Sequence, residues 1–445
     1  MTVSTDERHD GDAGADHDGS GSASAADSRV DENGPIDAAT SPEKPASDGG
    51  DAPDPTGSSA VTVADAVDDS LPHLRPFDST DRDALLSLCE TVTGEPMDST
   101  RFDGLFLDAP FALDETPIHV AERDGELVGA HLSVPVRMRV GTDVVTGLCA
   151  YDTVVRPDYR ETDLAARLAS AATDRYDDSE ATFGFAFLDD DALDDVSELD
   201  YRVADELPTY YRMQSSGAFA GGDGVVTRAL GRLAAVAARG YTAAKRRRVA
   251  VDRTVTVSRV DGVAADRLAS LADRTDVGGI HAVRDAAFYR RRFADGETAY
   301  RTYFASRDGE TVAAVVVADR DGSRVELVDA LPSASLADDA ENPADETADA
   351  RDDAAIRTLL VAVTEQYADA DCLAAFGSAF PERAMRAVGF VRDDDYPLSL
   401  RTTPTTLVTR PYCDGDVSNA DSWRCGGEIL TDGTVWRPTL ADRFS

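Results

Sequence analysis

Hydrophobic and polar positions divide the chain into stretches of different character. Residues 1–72 show no period: Asp, Gly, Ser, Ala and Pro dominate, and such a segment cannot bury enough apolar surface to offset its ordering entropy. It is predicted to be a disordered acidic tail. Patterned sequence starts near His73. LRPFDSTDRDALLSLCETV predicts a short strand, a Ser/Thr/Asp cap, and a helix with Leu85, Leu88 and Val92 on one face. IHVAERDGELVGAHLSVPVRMRVG predicts a hairpin, with strands at 118–121 and 127–140, a turn at Asp124-Gly125, and Pro135 at a bulge or edge. A strand at 144–155, a helix at 164–175, a strand at 181–188 and a helix-like stretch at 192–199 follow.

The pattern breaks after residue 216. Between Val225 and Val251 no acidic residue occurs. On a helix, Val226, Leu230, Leu233 and Ala237 share one side while Arg228, Arg232, Arg239 and Arg246 take the other. Residues 217–252 therefore predict a basic amphipathic linker helix. Its favoured counterpart is an acidic domain face of the same chain; peripheral membrane contact by 225–250 and a nucleic-acid patch are the less favoured readings. From Val255 the alternation returns. It predicts a strand at 255–260, a helix at 263–273, and a meander with turns at Asp308-Gly309 and Asp321-Gly322. An acidic low-complexity insert at 335–353 precedes a helix at 356–367, a strand at 372–376 and a helix at 381–388. The two halves share one order of elements, which is an internal duplication of architecture. AFYRRRF (287–293) offers arginines to an anionic substrate or, preferably, forms a surface helix.

Composition adds an environment. The 445 residues carry a formal net charge of -40 and are 42% hydrophobic, and Lys44 and Lys245 are the only lysines. An acidic, lysine-poor surface on a chain with a sizeable apolar fraction points to a salt-adapted protein, because high salt screens the self-repulsion. The same charge argues against a nucleic-acid partner. Five scattered cysteines without a C-x-x-C pair imply reduced thiols, no disulfide framework and no metal site. The start lacks a secretory pattern and no apolar run is long enough to span a bilayer, so a cytoplasmic location is expected.

The chemistry concentrates at VRPDYRETDLAARL (155–168). A strand ends, a polar turn follows, and a helix begins. Amides at a helix N-terminus bind phosphate, and glycine in such a turn lets the backbone come close. Here Asp163 stands where a phosphate loop would use glycine.

This stretch resembles the central motif of the GNAT-superfamily N-acetyltransferases: V-x-P, then aromatic-R-x-x-G-x-G/A, then an aliphatic helix. Val155, Pro157, Tyr159, Arg160, Leu164, Ala165 and Leu168 match, and Asp163 departs. The hairpin VAERDGELVGAHLSVPV is similar to the family's second and third strands. SELDYRVADELPTYYR resembles its closing segment, with Asp200-Tyr201 in place of Gly-Phe, and AMRAVGFVRDDD carries that signature intact at Gly389-Phe390.

The resemblance implies an α/β (mixed α+β) fold of two GNAT-like domains, each a mixed, mostly antiparallel sheet flanked by helices. Their expected limits are 73–216 and 253–403, with 404–445 as a tail, containing Trp423 and Trp436, that packs on the second domain. It further implies acetyl-CoA as co-substrate and no metal. Thr153, Val154 and Val155 would pair with the pantetheine arm, and the amides of Arg160, Glu161, Thr162, Asp163, Leu164 and Ala165 would surround the pyrophosphate. An amine, small-molecule or protein, would take the acyl group by direct attack. Val196 occupies the family's usual general-acid position, so Tyr210 or Tyr211 is the substitute; Asp152 or His131 would serve as base. The second half has no such loop and is expected to lack its own cofactor site. Two other readings of the same fold are a non-catalytic binding or regulatory module, and an aminoacyl-tRNA-using tandem transferase.

Overall fold

A computed structural model describes residues 71–214 and 251–444, except for short stretches at 108–112, 114, 178, 190–191, 194–197, 276–277, 295–297, 321, 334–342, 401 and 413–416. The expected tail up to residue 70, the linker helix at 217–250 and Val196 lie outside the described residues.

In chain order the first half forms β1 (His73–Pro76), α1 (Arg82–Thr93), α2 (Ser99–Phe102), β2 (Ile118–Arg123), β3 (Glu126–Val140), β4 (Asp143–Val155), α3 (Leu164–Asp177), β5 (Phe183–Leu188), β6 (Arg202–Leu207) and β7 (Thr209–Met213). The second forms β8 (Val255–Asp261), α4 (Ala265–Arg274), β9 (Ile280–Ala282), α5 (Ala286–Arg292), β10 (Ala299–Arg307), β11 (Glu310–Asp319), β12 (Arg324–Leu331), α6 (Pro343–Gln366), β13 (Cys372–Phe376), α7 (Glu382–Val388), β14 (Val391–Arg392) and β15 (Thr405–Pro411). Of the three turns read from Asp-Gly pairs, two are described in full: Asp124 and Gly125 (φ 54° and 81°) and Asp308 and Gly309 (φ 53° and 86°) all take the left-handed values that such turns need, and Gly322 of the third has φ 75°. The acidic insert is not wholly a loop, since α6 already starts at Pro343.

Two mixed sheets result. The first runs β1-β2-β3-β4-β5-β15-β6, with β9 beside the far end of β3; the second runs β8-β10-β11-β12-β13-β7-β14. Position by position the two orders match, and each has one parallel pair, β4 with β5 and β12 with β13. The sixth place in each sheet is filled from the other half. β7 leaves the first half to lie between β13 and β14, and β15 leaves the second to lie between β5 and β6. Pro208 alone separates β6 from β7; it has no N–H to donate, so the ladder of one sheet stops there and that of the other starts.

This exchange changes the expected domain limits. Strand β7, assigned by the sequence to the first domain, belongs to the second sheet. Residues 404–445, expected on the second domain, supply β15 to the first sheet and place Trp423, Trp436 and Phe444 in the core of the first half. That core also holds α1 through Leu85 and Leu88. On the other face of the first sheet, α3 buries Leu164, Leu168, Ala172 and Tyr176, a stripe at four-residue spacing. The second core lies between its sheet and the α6/α7 pair, where Ile356, Leu359, Leu360 and Val363 are fully buried. No helix among the described residues is long and apolar enough to cross a membrane.

Candidate active site

Strand β4 pairs with β5 only over Gly147–Phe183, Leu148–Gly184 and Cys149–Phe185. Beyond Cys149 it continues beside β3 alone, while β5 turns to β15. A bulge sits where the two part: Ser133 faces Ala150 and Leu132 faces Asp152, so Tyr151 is the extra residue. The edge of β4 that faces β5 is therefore open over Ala150 to Val155, and it leads directly into the 156–163 turn and the N-terminus of α3.

The bulge turns Tyr151 and Asp152 to the same side. With Val154 they line a cleft of about 910 Å³ whose other walls are α1, the 95–101 segment, and Thr298 and Arg320 from the second half. Tyr151 packs edge-on against Phe106 at 5.5 Å. Asp152 is exposed to the cleft, yet the surrounding walls thin out its water. This desolvation raises the carboxyl above its ordinary pKa, against the Thr153 amide, which lowers it. Among the described residues no three His, Cys, Asp or Glu are grouped to hold a metal.

At the α3 end, Thr162 Oγ1 accepts from the Leu164 amide at 3.3 Å and caps the turn. The next first-turn amides, on Ala165 and Ala166, point out of the helix end as in any α-helix. The largely exposed carboxylate of Asp163 lies 4.0 Å from Arg167 Nη1, one helical turn on. Arg160 reaches across to the Val92 carbonyl at 3.4 Å, and Tyr159 packs on the cluster of Val155 and Leu164. Asp200, the other departure from the family pattern, adopts φ 60°. It thus takes the left-handed conformation that Gly389 (φ 95°) takes in the second half, and Asp tolerates it better than most side chains.

Thr153, Val154, Val155 and the 160–165 turn therefore lie along one continuous edge, and Asp152 lies beside it. Tyr210 and Tyr211 do not. They sit on β7, paired with Ala375 and Ala374 of β13 in the second sheet. Tyr210 is buried in the second core and desolvation raises its phenol to about 12. Tyr211 faces a separate cavity with Arg324 and Glu326. His131 is also turned away from the cleft, toward α3, with Nδ1 2.8 Å from Thr153 Oγ1. Burial lowers its pKa to about 4, so it is neutral at pH 7.

That depression sets a pH dependence. The unfolded chain binds the imidazole proton first as pH falls, so the stabilisation is complete above about pH 6.5 and is lost toward pH 4, by up to about 3 kcal/mol. Denaturation midpoints of the wild type and His131→Asn should therefore converge over that range. Parallel curves from pH 7 to 4 would show that His131 does not titrate this way.

Sequence reasoning missed the bulge residue Tyr151 and a second boundary of the site. The 440–444 segment runs against the point where β4 and β5 part: the Asp442 carbonyl is 3.9 Å from Cys149 Sγ, and Arg101 donates to the Phe444 carbonyl at 3.2 Å. Arg292 donates to the carbonyls of Ala441 (2.9 Å), Leu440 (3.2 Å) and Arg443 (2.8 Å). At Arg291 and Arg292, both half-buried and bound to backbone carbonyls, α5 is therefore not a plain surface helix. Arg291 binds the Pro135 carbonyl at 2.7 Å, and Arg290 alone makes an exposed ion pair, with Asp266.

No protein-family model matches the sequence, and no curated protein sequence matches it. Solved structures do. A GCN5-related N-acetyltransferase from Anabaena variabilis is similar over 76% of this chain and 72% of its own, at 11% identity and a TM-score of 0.50. A protein from Enterococcus faecalis described as a probable N-acyltransferase is similar over 77% and 73%, at 9% identity and a TM-score of 0.50. The fold is that of the GNAT N-acetyltransferases, built twice in one chain.

Proposed function

We propose that the first half binds an acyl-CoA, acetyl-CoA in the simplest case, and transfers its acyl group to an amine. The observation that carries this reading is the open edge of β4 from Ala150 to Val155, running into the N-terminus of α3. A pantetheine arm is an extended chain of amides and would complete the missing strand. The pyrophosphate would meet the first-turn amides and the positive end of the α3 dipole. Asp163 is largely exposed there, and Arg167 Nη1, 4.0 Å away, offsets part of its charge.

The acceptor would enter through the 910 Å³ cleft, where Glu95, Asp98 and Asp152 suit a protonated amine. Asp152, its basicity raised by desolvation, takes the amine proton. The amine nitrogen then attacks the thioester carbonyl, the C–N bond forms, and the C–S bond breaks. The attached nitrogen, cationic after the attack, gives its second proton through water to the departing CoA thiolate, and Asp152 returns the first proton to solvent. A backbone N–H of the open β4 edge stabilises the developing oxyanion.

Calorimetric titration of acetyl-CoA into the full chain in molar KCl tests the reading, with Asp163→Gly beside it. The wild type should bind in the micromolar range. The glycine variant should bind about 2–5-fold tighter, the scale of one charge near a helix N-terminus. Binding by the variant alone would favour a non-catalytic module, and binding by neither would leave only the fold.

A further inference from the structure

The second half keeps the geometry of the first half's site but fills it. Strand β12 stops pairing with β13 at Leu327–Ala375. It also carries a bulge there: Val317 faces Leu327 and Val316 faces Asp329, so Val328 is the extra residue. Asp329 thereby occupies the place that Asp152 holds in β4. Asp152 opens into a cleft, whereas Asp329 is 1% exposed. Its carboxylate accepts from Arg284 (3.2 Å), Tyr289 Oη (2.8 Å) and Thr439 Oγ1 (3.0 Å).

Arg284 is itself buried and is shared. Its Nη1 and Nη2 donate to Asp442 at 2.7 and 2.6 Å, and Asp442 also accepts from the Thr439 amide at 2.7 Å. A short turn at Leu440–Asp442, capped by Thr439 and Asp442, therefore plugs the second opening. The last residue of this turn, Asp442, meets Cys149 through its carbonyl, and Phe444, two residues on, accepts from Arg101 of the first half. One segment spans from the bulge aspartate of one half to the strand opening of the other.

We propose that the second half's remnant site is an anchor for the first half's cleft. Asp329, through Arg284, holds Thr439–Asp442 in place and so sets the two carbonyls that meet the first half: Asp442's at Cys149, where β4 and β5 part, and Phe444's at Arg101, a residue of the cleft wall. Arg284, Asp329 and Asp442 are positioning residues in this scheme; none touches the reacting atoms. The assignment of the cleft to acyl transfer rests on the reading above, but the mechanical link does not.

The test uses Cys149 as a reporter in the full chain. It is 1% exposed and lies beneath the segment, whereas Cys372, 9% exposed at the start of β13 in the second sheet, does not touch the segment and reports opening elsewhere. N-ethylmaleimide labelling of each, read by peptide mass spectrometry, is compared in wild type, Asp442→Ala, Asp442→Asn and Asp329→Asn. Asp442→Ala should label Cys149 about tenfold faster with Cys372 unchanged, as expected of a local opening. Asp442→Asn should restore part of the protection. Asp329→Asn, which keeps the shape and does not itself touch Cys149, should raise Cys149 labelling in the same direction. Acetyl-CoA titration of the same variants should show weakened binding. Unchanged Cys149 labelling in the folded Asn variants, or Cys149 and Cys372 rising together, overturns the anchor. Selective Cys149 labelling in a wild type and variants that bind no acetyl-CoA supports the anchor and removes only the acyl-CoA reading. Should Asp442→Ala not fold, the two Asn variants decide.

Discussion

Trp436→Ala should lower stability by about 3–5 kcal/mol, the range for truncating a buried large aromatic side chain. Trp436 is 1% exposed, and its ring meets Phe183 at 6.0 Å and Phe185 at 5.8 Å. Its Nε1 donates to the Leu430 carbonyl at 2.9 Å. Both phenylalanines lie on the part of β5 that pairs with β4, so the cavity would open beside the β4/β5 junction. Chemical denaturation in molar KCl checks the magnitude. A loss below about 1 kcal/mol, the scale of a surface change, would mean that residues 404–445 are an appendage and not part of the first core.

Gly377→Ala should cost on the order of 3 kcal/mol, for two reasons that add. Gly377 has φ 95°, which a side chain rarely tolerates, and a Cβ there would stand 2.0 Å from the Pro438 carbonyl oxygen. The clash is with backbone, which cannot rotate out of the way. This turn is the seat of the 436–438 segment: Ser378 Oγ donates to the Trp436 carbonyl at 2.8 Å, and the Gly377 amide to the Pro208 carbonyl at 3.0 Å. Gly309→Ala is the control, since its φ is 86° and nothing lies within 4 Å of the added Cβ. It should lose only about 1 kcal/mol, the conformational part. Equal losses at both positions would show that the Pro438 approach carries no weight. Thermal or denaturant midpoints of the two variants measured side by side give the answer.

The candidate site was legible where its signal is local. The 155–165 segment was readable because a strand, a proline, a polar turn and an aliphatic stripe follow one another in sequence, and Leu164 and Leu168 do go to the sheet. Asp163 stands in sequence where a phosphate loop would use glycine; the structure adds a partner for its exposed carboxylate, Arg167 at 4.0 Å, one helical turn on. Tyr151 was overlooked because a bulge breaks the two-residue alternation by which strand faces are assigned. Tyr210 and Tyr211 were placed by nearness in sequence to the first domain, and Pro208 redirects them.

The sequence by itself determined the elements and their local chemistry. Left-handed Asp-Gly turns made the hairpins at 124–125 and 308–309, apolar spacing made α1, α3 and α4, and the repeated order of elements announced two copies of one architecture. Strand β13 fell on the residues expected, Cys372–Phe376. Only the tertiary structure decided which strand lies beside which. TYYRM and TTLVTRP are both β-prone strands with threonine and one arginine, and a ladder of N–H and C=O groups is the same for any partner, so nothing within either stretch specifies that β7 and β15 change places. The choice is made by what the exchange buries, with Tyr210 under α6 and α7 and Trp436 against β5, and by Arg284, whose two carboxylate partners come from residues 329 and 442. Contacts between residues that distant in sequence have no period and no spacing to read.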